Sequence, residues 1–258
     1  MIYVALDNSF DSWRSTARKM VLCGVQPGEI AWTDRSQNGL FEESAVPKPM
    51  RTNFTVPAAF LKLAEAAACF DDAERWPLLY RILFRLVHEN KSLLEIESDP
   101  DVRSARLMEK AVNRDVHKFH AFVRFRWAEC DGEEMYIAWH EPQHFTVERA
   151  APFFKRRFGT MNFSILTPKG CAHWDKRDLV FSAPAEKKAA PSADEMEDFW
   201  LLYYRSIFNP FRLKINAMKK ELPVRHWPTL PEAALIPELI SKARSQAPER
   251  LPALRRKR

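Results

Sequence analysis

The predicted fold is decided by the stretch AFVRFRWAECDGEEMYIAW, which runs from Ala121 to Trp139. Apolar and polar residues alternate in Ala121–Trp127, which indicates a strand with one buried face. The acidic residues Glu129–Glu134 enclose an Asp-Gly pair, a strong short-range signal for a turn between two strands. Residues Met135–Trp139 then return as the second strand. The stretch therefore predicts an antiparallel hairpin.

The residues after the hairpin extend it into a sheet. Phe145–Phe158 has helical spacing, although it contains Pro152. Three short runs beyond it suit strands, namely Asn162–Leu166, Cys171–Trp174 and Leu179–Phe181. Residues 121–182 therefore predict the order β-β-α-β-β-β, which is an antiparallel sheet with a helix on one face.

The residues before the hairpin predict two short strands and four helices. The strands are Ile2–Leu6 and Glu29–Thr33, and the segment Gln37–Arg51, with Asn-Gly and prolines, predicts a loop. The first helix begins at an N-cap, Asp11, runs to Cys23 and stops at Gly24. The other helices are Pro57–Cys69, Asp72–Val87 and Asp99–Phe119. The residues expected to face the core are Trp13, Ala17, Met20 and Val21 in the first helix and Leu79, Ile82, Leu83, Leu86 and Val87 in the third.

The C-terminal third predicts a linker followed by helices. Pro184–Ala193 has two prolines and no large apolar residue, which is typical of a linker. Helices are expected over Asp194–Ile207, Phe211–Lys220 and Pro231–Arg244, with a break at Asn209-Pro210. The prediction is an α+β fold whose central antiparallel sheet (about 121–182) is flanked by N-terminal and C-terminal helices. Its parts are an α+β body (1–183), a linker (184–193), a helical segment packed on the body (194–246) and a disordered basic tail (247–258).

Composition excludes several classes of protein. The chain has 258 residues, 46% hydrophobic and 29% charged, which is ordinary for a globular protein. Its four cysteines lack a C-x-x-C spacing, so neither a disulfide framework nor a zinc cage is expected. No signal peptide or membrane-spanning run is apparent, and we expect a cytoplasmic protein that contacts no membrane. Phosphate loops, dinucleotide fingerprints and deaminase motifs are absent from the sequence, so no cofactor and no metal are expected.

The net charge of +6 favours a polyanionic partner, but only modestly. Seven basic residues lie in Ser241–Arg258, so the rest of the chain is nearly neutral. Evidence for a polyanionic partner must therefore come from local patches of positive charge. One such patch is Tyr203–Glu232, where basic residues are interleaved with aromatic residues. Cations neutralise phosphates and aromatic faces stack on unpaired bases, so this mixture suits nucleic acid. The alternative is a pair of amphipathic helices with core aromatics and solvated lysines.

The chain also resembles an uncharacterised family labelled "probable DNA metabolism protein". That family occurs beside a radical-SAM DNA modification or repair protein, and it occurs fused ahead of a UdgX-type uracil-DNA glycosylase-like domain. The resemblance implies a role with DNA and such a partner, but it assigns no catalytic residue. The matching motifs are Val4–Arg14, Asn113–Arg126, Ala138–His144, Ala151–Phe158, Ile165–Pro168, His173–Asp175, Ile207–Lys214 and Met218–Ala233.

Basic and aromatic side chains are the candidates for contact with nucleic acid. Arg124 and Arg126 are expected on one face of the hairpin, where a period of two keeps them together. Arg156 and Arg157 lie with Lys155 on the following helix, and surface ion pairs with Glu129–Glu134 are the alternative role for these cations. The full set of candidates is Arg114, Lys118, Arg124, Arg126, Arg156, Arg157, Tyr204, Phe208, Arg212, Lys214, Arg225 and Trp227.

Acid–base residues offer a second interpretation. The candidates for catalysis are His117, Glu141, His144 and Asp175. Glu141, His144 and Asp175 lie at the ends of predicted strands, where a carboxylate or imidazole could act on a flipped base or a water. The motif His140-Glu-Pro-Gln-His144 has zincin-like spacing, but Pro142 prevents the helix that a zincin needs. In the family that the chain resembles, His117 and His144 match the usual residues, whereas His120 and His140 stand where lysine and phenylalanine are common. The resemblance therefore argues against a metal site built from all four histidines.

Three classes of function remain open at this point. The first is a DNA-binding accessory protein in DNA repair or base modification, acting with a radical-SAM or uracil-DNA glycosylase-like partner. The second is a DNA-processing enzyme, a glycosylase or nuclease, that uses the acid–base residues. The third is a protein-interaction scaffold, which would apply if the basic residues were scattered.

Overall fold

The computed structural model describes residues 1–6, 9–34, 49, 52–130, 133–189 and 215–246. These residues form two compact units. The first unit contains Met1–Lys118 and Pro142–Ala150, and the second contains Phe119–Glu141 and the described residues from Ala151 onward. The predicted division into body, linker, helical segment and tail stays a prediction, because residues 190–214 and 247–258 lie outside the described ranges.

The first unit begins with a β-α-β arrangement. Strand β1 (Ile2–Leu6) pairs in parallel with β2 (Ile30–Asp34), and helix α1 (Phe10–Leu22) connects them. The predicted face of α1 is confirmed, since Trp13, Ala17, Met20 and Val21 are all buried. Gly24 has φ 69° after the helix, a conformation that glycine adopts without strain.

The N-cap of α1 is Ser9, so the prediction of Asp11 was wrong. Ser9 is extended, and its hydroxyl accepts a hydrogen bond from the Ser12 backbone N–H at 3.1 Å. Asp11 lies instead in the first turn, where its carboxylate interacts favourably with the positive end of the helix dipole. Both residue types favour a helix start, and only the backbone conformation distinguishes the two positions.

Helices α2 (Ala58–Ala67), α3 (Arg75–His88) and α4 (Pro100–Phe122) follow. Leu79, Ile82, Leu83 and Leu86 of α3 are buried, which confirms most of the predicted core stripe, and Val87 is partly buried against the same core. Arg85 of α3 donates to Asp99 at 2.6 Å and to Asp101 at 3.2 Å. The Asp99 carboxylate also accepts the backbone N–H groups of Asp101 and Val102, so it caps the start of α4.

The ion pair between Arg85 and Asp99 predicts a pH-dependent contribution to stability. The Arg85 hydrogen bond lowers the pKa of Asp99, with backbone N–H bonds adding to the effect. A carboxyl whose folded-state pKa is lowered stabilises the fold above its unfolded pKa, about 3.9, and loses that contribution as pH falls through the folded pKa. We expect Arg85→Met to lower the free energy of unfolding by about 1–2 kcal/mol near neutral pH and by less below about pH 4.

Urea unfolding of both proteins across a pH series measures this difference. Arg103→Met is the matched control, because Arg103 is an exposed residue of α4. Its effect should not change with pH. If Arg85→Met lowers the free energy of unfolding by the same amount at acidic pH as at neutral pH, the ionised carboxylates contribute no stability through their pairing with Arg85.

The second unit contains a sheet with strand order β3-β4-β5-β6-β7. The strands are β3 (Arg126–Cys130), β4 (Glu133–Trp139), β5 (Phe163–Leu166), β6 (Cys171–Trp174) and β7 (Leu179–Ser182). The predicted α+β class and the hairpin β3–β4 are confirmed. One pairing differs from the prediction, because β4 and β5 run parallel while the others are antiparallel. Helix α5 (Val147–Arg157, containing Pro152) carries the chain back between them, as a parallel pair requires.

The predicted strand Ala121–Trp127 was wrong in its first half. Helix α4 continues to Phe122, and β3 begins only at Arg126. Val112, Phe119 and Phe122 are buried at helical spacing, so burial on one face of α4 overrides the alternation seen in the sequence. The Val123 backbone N–H still bonds to the Phe119 carbonyl at 3.2 Å.

The part of α5 from Ala151 onward and the C-terminal helices belong to the second unit. Phe154 of α5 meets Phe125, which in turn meets Phe163 of β5, so α5 covers that face of the sheet. Helix α6 (Ile215–Glu221), two 3₁₀ turns (Val224–Thr229 and Pro231–Leu235) and helix α7 (Ile236–Gln246) come last. The predicted helix Pro231–Arg244 is thus a 3₁₀ turn followed by α7. The predicted helix Asp194–Ile207, the break at Asn209-Pro210 and the loop Gln37–Arg51 fall outside the described residues, apart from Pro49.

A small apolar cluster joins the end of α4 to these last elements. Its buried members are Phe122, Leu230, Ala233 and Ile236, with Trp227 packed against them. Across the described ranges, no helix combines the length and apolar character needed to cross a membrane.

Candidate nucleic-acid interface

Basic side chains gather where α5 ends and where β6 turns into β7. Lys155, Arg156 and Arg157 form the last turn of α5. Trp174, the last residue of β6, connects the two places: its indole N–H donates to the Gly159 carbonyl at 3.1 Å, and Lys155 Nζ lies 4.4 Å from its ring centroid. This geometry brings the end of α5 beside the β6–β7 turn.

The β6–β7 turn is built by Asp175. Its carboxylate accepts the backbone N–H groups of Arg177 at 2.8 Å and Asp178 at 2.7 Å, and these bonds lower the pKa of Asp175, the Asp178 bond most strongly. Lys176, between Asp175 and Arg177, adopts φ 72°. The turn presents Lys176 and Arg177 as exposed side chains. Asp175, a catalytic candidate, therefore has a structural task of its own.

We refer to these five cations as the basic cluster: Lys155, Arg156, Arg157, Lys176 and Arg177. Arg156, Arg157 and Lys176 are exposed, and within the described ranges no ion pair involves any of the three. Surface pairing with acids, the alternative considered for Arg156 and Arg157, is thus not seen among those residues. The basic cluster therefore comprises three cations at the end of α5 and two in the turn, and the same turn holds two acids, Asp175 and Asp178.

A cleft of about 550 Å³ opens beside the basic cluster. His173 of β6 lies in its wall, and its ring nitrogens share hydrogen bonds with two serine hydroxyls: Nδ1 with Ser164 Oγ and Nε2 with Ser182 Oγ, both at 2.8 Å. Burial lowers the pKa of His173, so the imidazole is neutral at neutral pH. A neutral imidazole has one N–H and one lone pair, so one serine accepts and the other donates.

The other two arginines of the hairpin region do not share a face as predicted. Arg124 precedes β3, and its guanidinium donates to the carbonyls of Ala121 at 2.7 Å and Val123 at 3.2 Å. It therefore satisfies carbonyls at the end of α4, where a helix leaves acceptors without intrahelical partners. Arg126 is the first residue of β3 and lines a cleft of about 450 Å³ together with Trp227 and Leu230.

Two candidates from the C-terminal region have local contacts. The Trp227 indole N–H donates to the Leu222 carbonyl at 3.1 Å, and its ring packs on the apolar cluster around Phe122. Arg225 is exposed and donates from Nε to His226 Nε2 at 3.0 Å. These contacts give Trp227 a role in packing. Tyr204, Phe208, Arg212 and Lys214 lie outside the described residues.

The predicted residues of α4 lie in the first unit. Arg114 is exposed and Lys118 is half-buried, one turn apart on the helix as the sequence indicates. Of the predicted nucleic-acid contacts, then, Arg156 and Arg157 lie next to Lys155 at the end of α5, and Lys155 is linked through Trp174 to the β6–β7 turn that carries Lys176 and Arg177. The additional members Lys176 and Arg177 were missed, because their partners in the cluster are distant in sequence.

The remaining acid–base candidates each have local surroundings. His117 is exposed on α4. His144 stacks on Phe70 with 4.4 Å between ring centroids, and its Nδ1 accepts the Asp71 backbone N–H at 3.2 Å. Glu141 accepts the Trp139 indole N–H at 2.8 Å.

The other histidines pack against aromatic rings. His120 stacks on Phe153, and the fully buried His140 lies 4.4 Å from Phe119 and parallel to His226 at 5.4 Å, measured between ring centroids. In the part of the chain that the structure describes, no group of three or more histidine, cysteine or carboxylate side chains is arranged to hold a metal.

Asp115 is a buried residue of α4 that the sequence reasoning missed. Its carboxylate accepts three hydrogen bonds, from the backbone N–H groups of Gln143 and His144 at 3.1 Å and from Thr146 Oγ1 at 3.0 Å. It thereby fixes the segment that leads into α5. A signal was available in the helical spacing, which sets Asp115 three residues after Val112 on the buried side.

Comparison with known proteins identifies a family but no characterised relative. No curated protein and no solved structure matches the chain. The family described as a domain of unknown function, DUF4130, matches residues 73–232, from the start of α3 to the second C-terminal 3₁₀ turn. Because this match covers more than half of the sequence, the chain belongs to the DUF4130 family of uncharacterised domains.

Proposed function

We propose that this chain is a DNA-binding accessory protein in DNA repair or base modification, and that the basic cluster contacts the DNA backbone. The observation that carries the proposal is the set of exposed cations at the end of α5 and in the β6–β7 turn. Arg156, Arg157 and Lys176 make no ion pair with the described residues, so phosphates need not displace an internal partner. Neutralised phosphates release counterions, which is the main source of affinity for DNA.

Hydrogen bonds fix the backbone around the basic cluster, as a preorganised binding surface requires. Trp174 bonds to Gly159 and carries Lys155 over its ring, and Asp175 fixes the turn through two backbone N–H bonds. Such contacts limit the motion of the backbone under the cations. Preorganised charge loses less entropy on binding than charge on a mobile loop.

The accessory role rests on the resemblance to the "probable DNA metabolism protein" family. That family occurs with a radical-SAM protein or a uracil-DNA glycosylase-like domain, and we propose a partner of one of these kinds. The alternative of a DNA-processing enzyme has less support. Three of its four candidates, Glu141, His144 and Asp175, already accept hydrogen bonds from neighbouring groups of the fold.

The double variant Arg156→Gln with Arg157→Gln tests the proposal. We expect it to weaken binding to duplex DNA about tenfold at moderate salt, and to reduce the slope of log K against log salt by about two, since each phosphate contact contributes about 0.9. Fluorescence anisotropy with a labelled duplex across a salt series measures both quantities.

Arg14→Gln with Arg103→Gln is the matched control. Both arginines are exposed residues of the first unit, on α1 and α4, and their loss removes the same charge. If the control weakens binding and flattens the slope as much as the test pair does, only net charge matters. If neither pair changes binding, the basic cluster is not the DNA site.

A further inference from the structure

The cleft beside Lys176 and Arg177 of the basic cluster lies on the sheet face opposite α5. Ser164 pairs with His173 across β5 and β6, and Val180 of β7 pairs with His173 from the other side. Side chains alternate between faces, so these three share a face. Phe163 lies on the other face, where it contacts Phe125, which in turn meets Phe154 of α5. The cleft is therefore floored by the sheet itself.

The floor of the cleft offers both apolar surface and hydrogen-bonding groups. Met135 and Val180 line it with apolar atoms, and Asn162, Ser164 and His173 line it with polar ones. The amide of Asn162 presents a donor and an acceptor. Both ring nitrogens of His173 are bonded to serine hydroxyls, so His173 orients the Ser164 hydroxyl, which lines the cleft. Such a set matches the edge of a nucleobase, which mixes donors and acceptors around an apolar face.

The rim of the cleft is cationic. Lys176 and Arg177 belong both to the lining of the cleft and to the basic cluster. A ligand that fills the cleft and reaches this rim therefore needs a flat, polar-edged body and a negative charge next to it. The volume of about 550 Å³ falls in the ordinary range for small-ligand sites.

We propose that this cleft receives one unpaired nucleotide of the bound DNA. Its base lies between Met135 and Val180 against Asn162 and His173, and its phosphate meets Lys176 and Arg177. The inference rests on the proposed DNA-binding function and adds to it a preference for bases outside a duplex. An unpaired base costs less to place in a pocket than one that must first be unstacked.

Three labelled DNA probes of equal length test this assignment with the full chain. One is a single strand of thymidines, the second is the same strand with abasic residues in place of the thymidines, and the third is a duplex. We expect the wild-type protein to bind the thymidine strand about tenfold more tightly than the abasic strand, because contacts to one bound base raise DNA affinity by about that factor. The abasic strand keeps the phosphates and lacks only the bases.

Two variants localise that preference. His173→Phe keeps an aromatic ring on β6 but removes both ring nitrogens, and Asn162→Ala removes a polar side chain from the lining. Each should bring the affinity ratio of thymidine to abasic strand close to one and leave abasic-strand binding unchanged. His173→Phe removes the hydrogen-bond partner of the buried Ser164 hydroxyl and could unfold the protein. Asn162→Ala then still tests the pocket. Arg156→Gln with Arg157→Gln should instead weaken binding to both single strands equally.

The outcomes separate the two proposals. Salt-dependent binding to all three probes with a wild-type ratio near one overturns the nucleotide pocket and leaves the DNA-binding function in place. A preserved ratio in Asn162→Ala and in a folded His173→Phe also overturns the pocket, because the base would then be bound elsewhere. Failure to bind any probe overturns the proposed function, and the pocket with it.

Discussion

Asp115→Ala should lower the free energy of unfolding by about 3–5 kcal/mol. Asp115 is 2% exposed, and its carboxylate accepts three hydrogen bonds from the segment Gln143–Thr146. Its removal leaves the backbone N–H groups of Gln143 and His144 without this acceptor, and it leaves the Thr146 hydroxyl only its longer bond to the His144 carbonyl at 3.4 Å. A buried donor that loses its acceptor costs about 1–3 kcal/mol. The loss of a negative charge just ahead of the first turn of α5 adds a smaller unfavourable term. Urea unfolding monitored by circular dichroism measures the change.

Two further variants show whether the three hydrogen bonds are the cause. Thr146→Val removes one of the donors with little change in volume and should cost about 1 kcal/mol. Glu97→Ala removes a carboxylate from an exposed position and should cost almost nothing. A loss below about 1 kcal/mol for Asp115→Ala would mean that water satisfies the segment as well as the carboxylate does.

Trp227→Ala should lower the free energy of unfolding by about 2–4 kcal/mol and leave the ratio of single-stranded to duplex DNA affinity unchanged. The ring packs against Phe122, Leu230, Ala233 and Ile236, and the indole N–H bonds to the Leu222 carbonyl. Truncating a packed tryptophan loses apolar burial and opens a cavity. Thermal unfolding and anisotropy with both DNA forms, measured well below the midpoint, distinguish packing from base stacking.

Trp227→Phe is the companion variant, because it keeps an aromatic ring and loses only the hydrogen bond to Leu222. Its stability should lie between those of the wild type and Trp227→Ala. A Trp227→Ala protein with unchanged stability and weaker single-strand binding would assign the ring to DNA and revive the stacking role predicted from the sequence.

Elements with a strong local period were predicted well. Strand β1, the buried face of α1 and strand β6 follow from the spacing of apolar residues, since neighbours in sequence alone determine them. The boundary between α4 and β3 was not predictable in this way. Residues Ala121–Trp127 alternate like a strand, yet Phe122 is buried at the end of a helix, and only packing shows which periodicity applies.

The candidate site was less predictable than the fold because it depends on strand register. Ser164 and His173 face each other only through the pairing of β5 with β6, and Lys155 meets Trp174 only after α5 has folded beside the sheet. The sequence indicated Arg156 and Arg157 as a local run of charge. It gave no sign that Arg124 would instead bond to the carbonyls at the end of α4.

The parallel pairing of β4 with β5 has a consequence for how the chain folds. Strands β5, β6 and β7 are joined by short connections and meet after little loss of chain entropy, but β4 meets β5 only after the whole crossover through α5 has closed. Contacts between distant residues slow folding, so we expect this step to limit the rate at which the sheet is completed. During synthesis β4 emerges before β5, and its unpaired edge is open to other chains until α5 and β5 arrive.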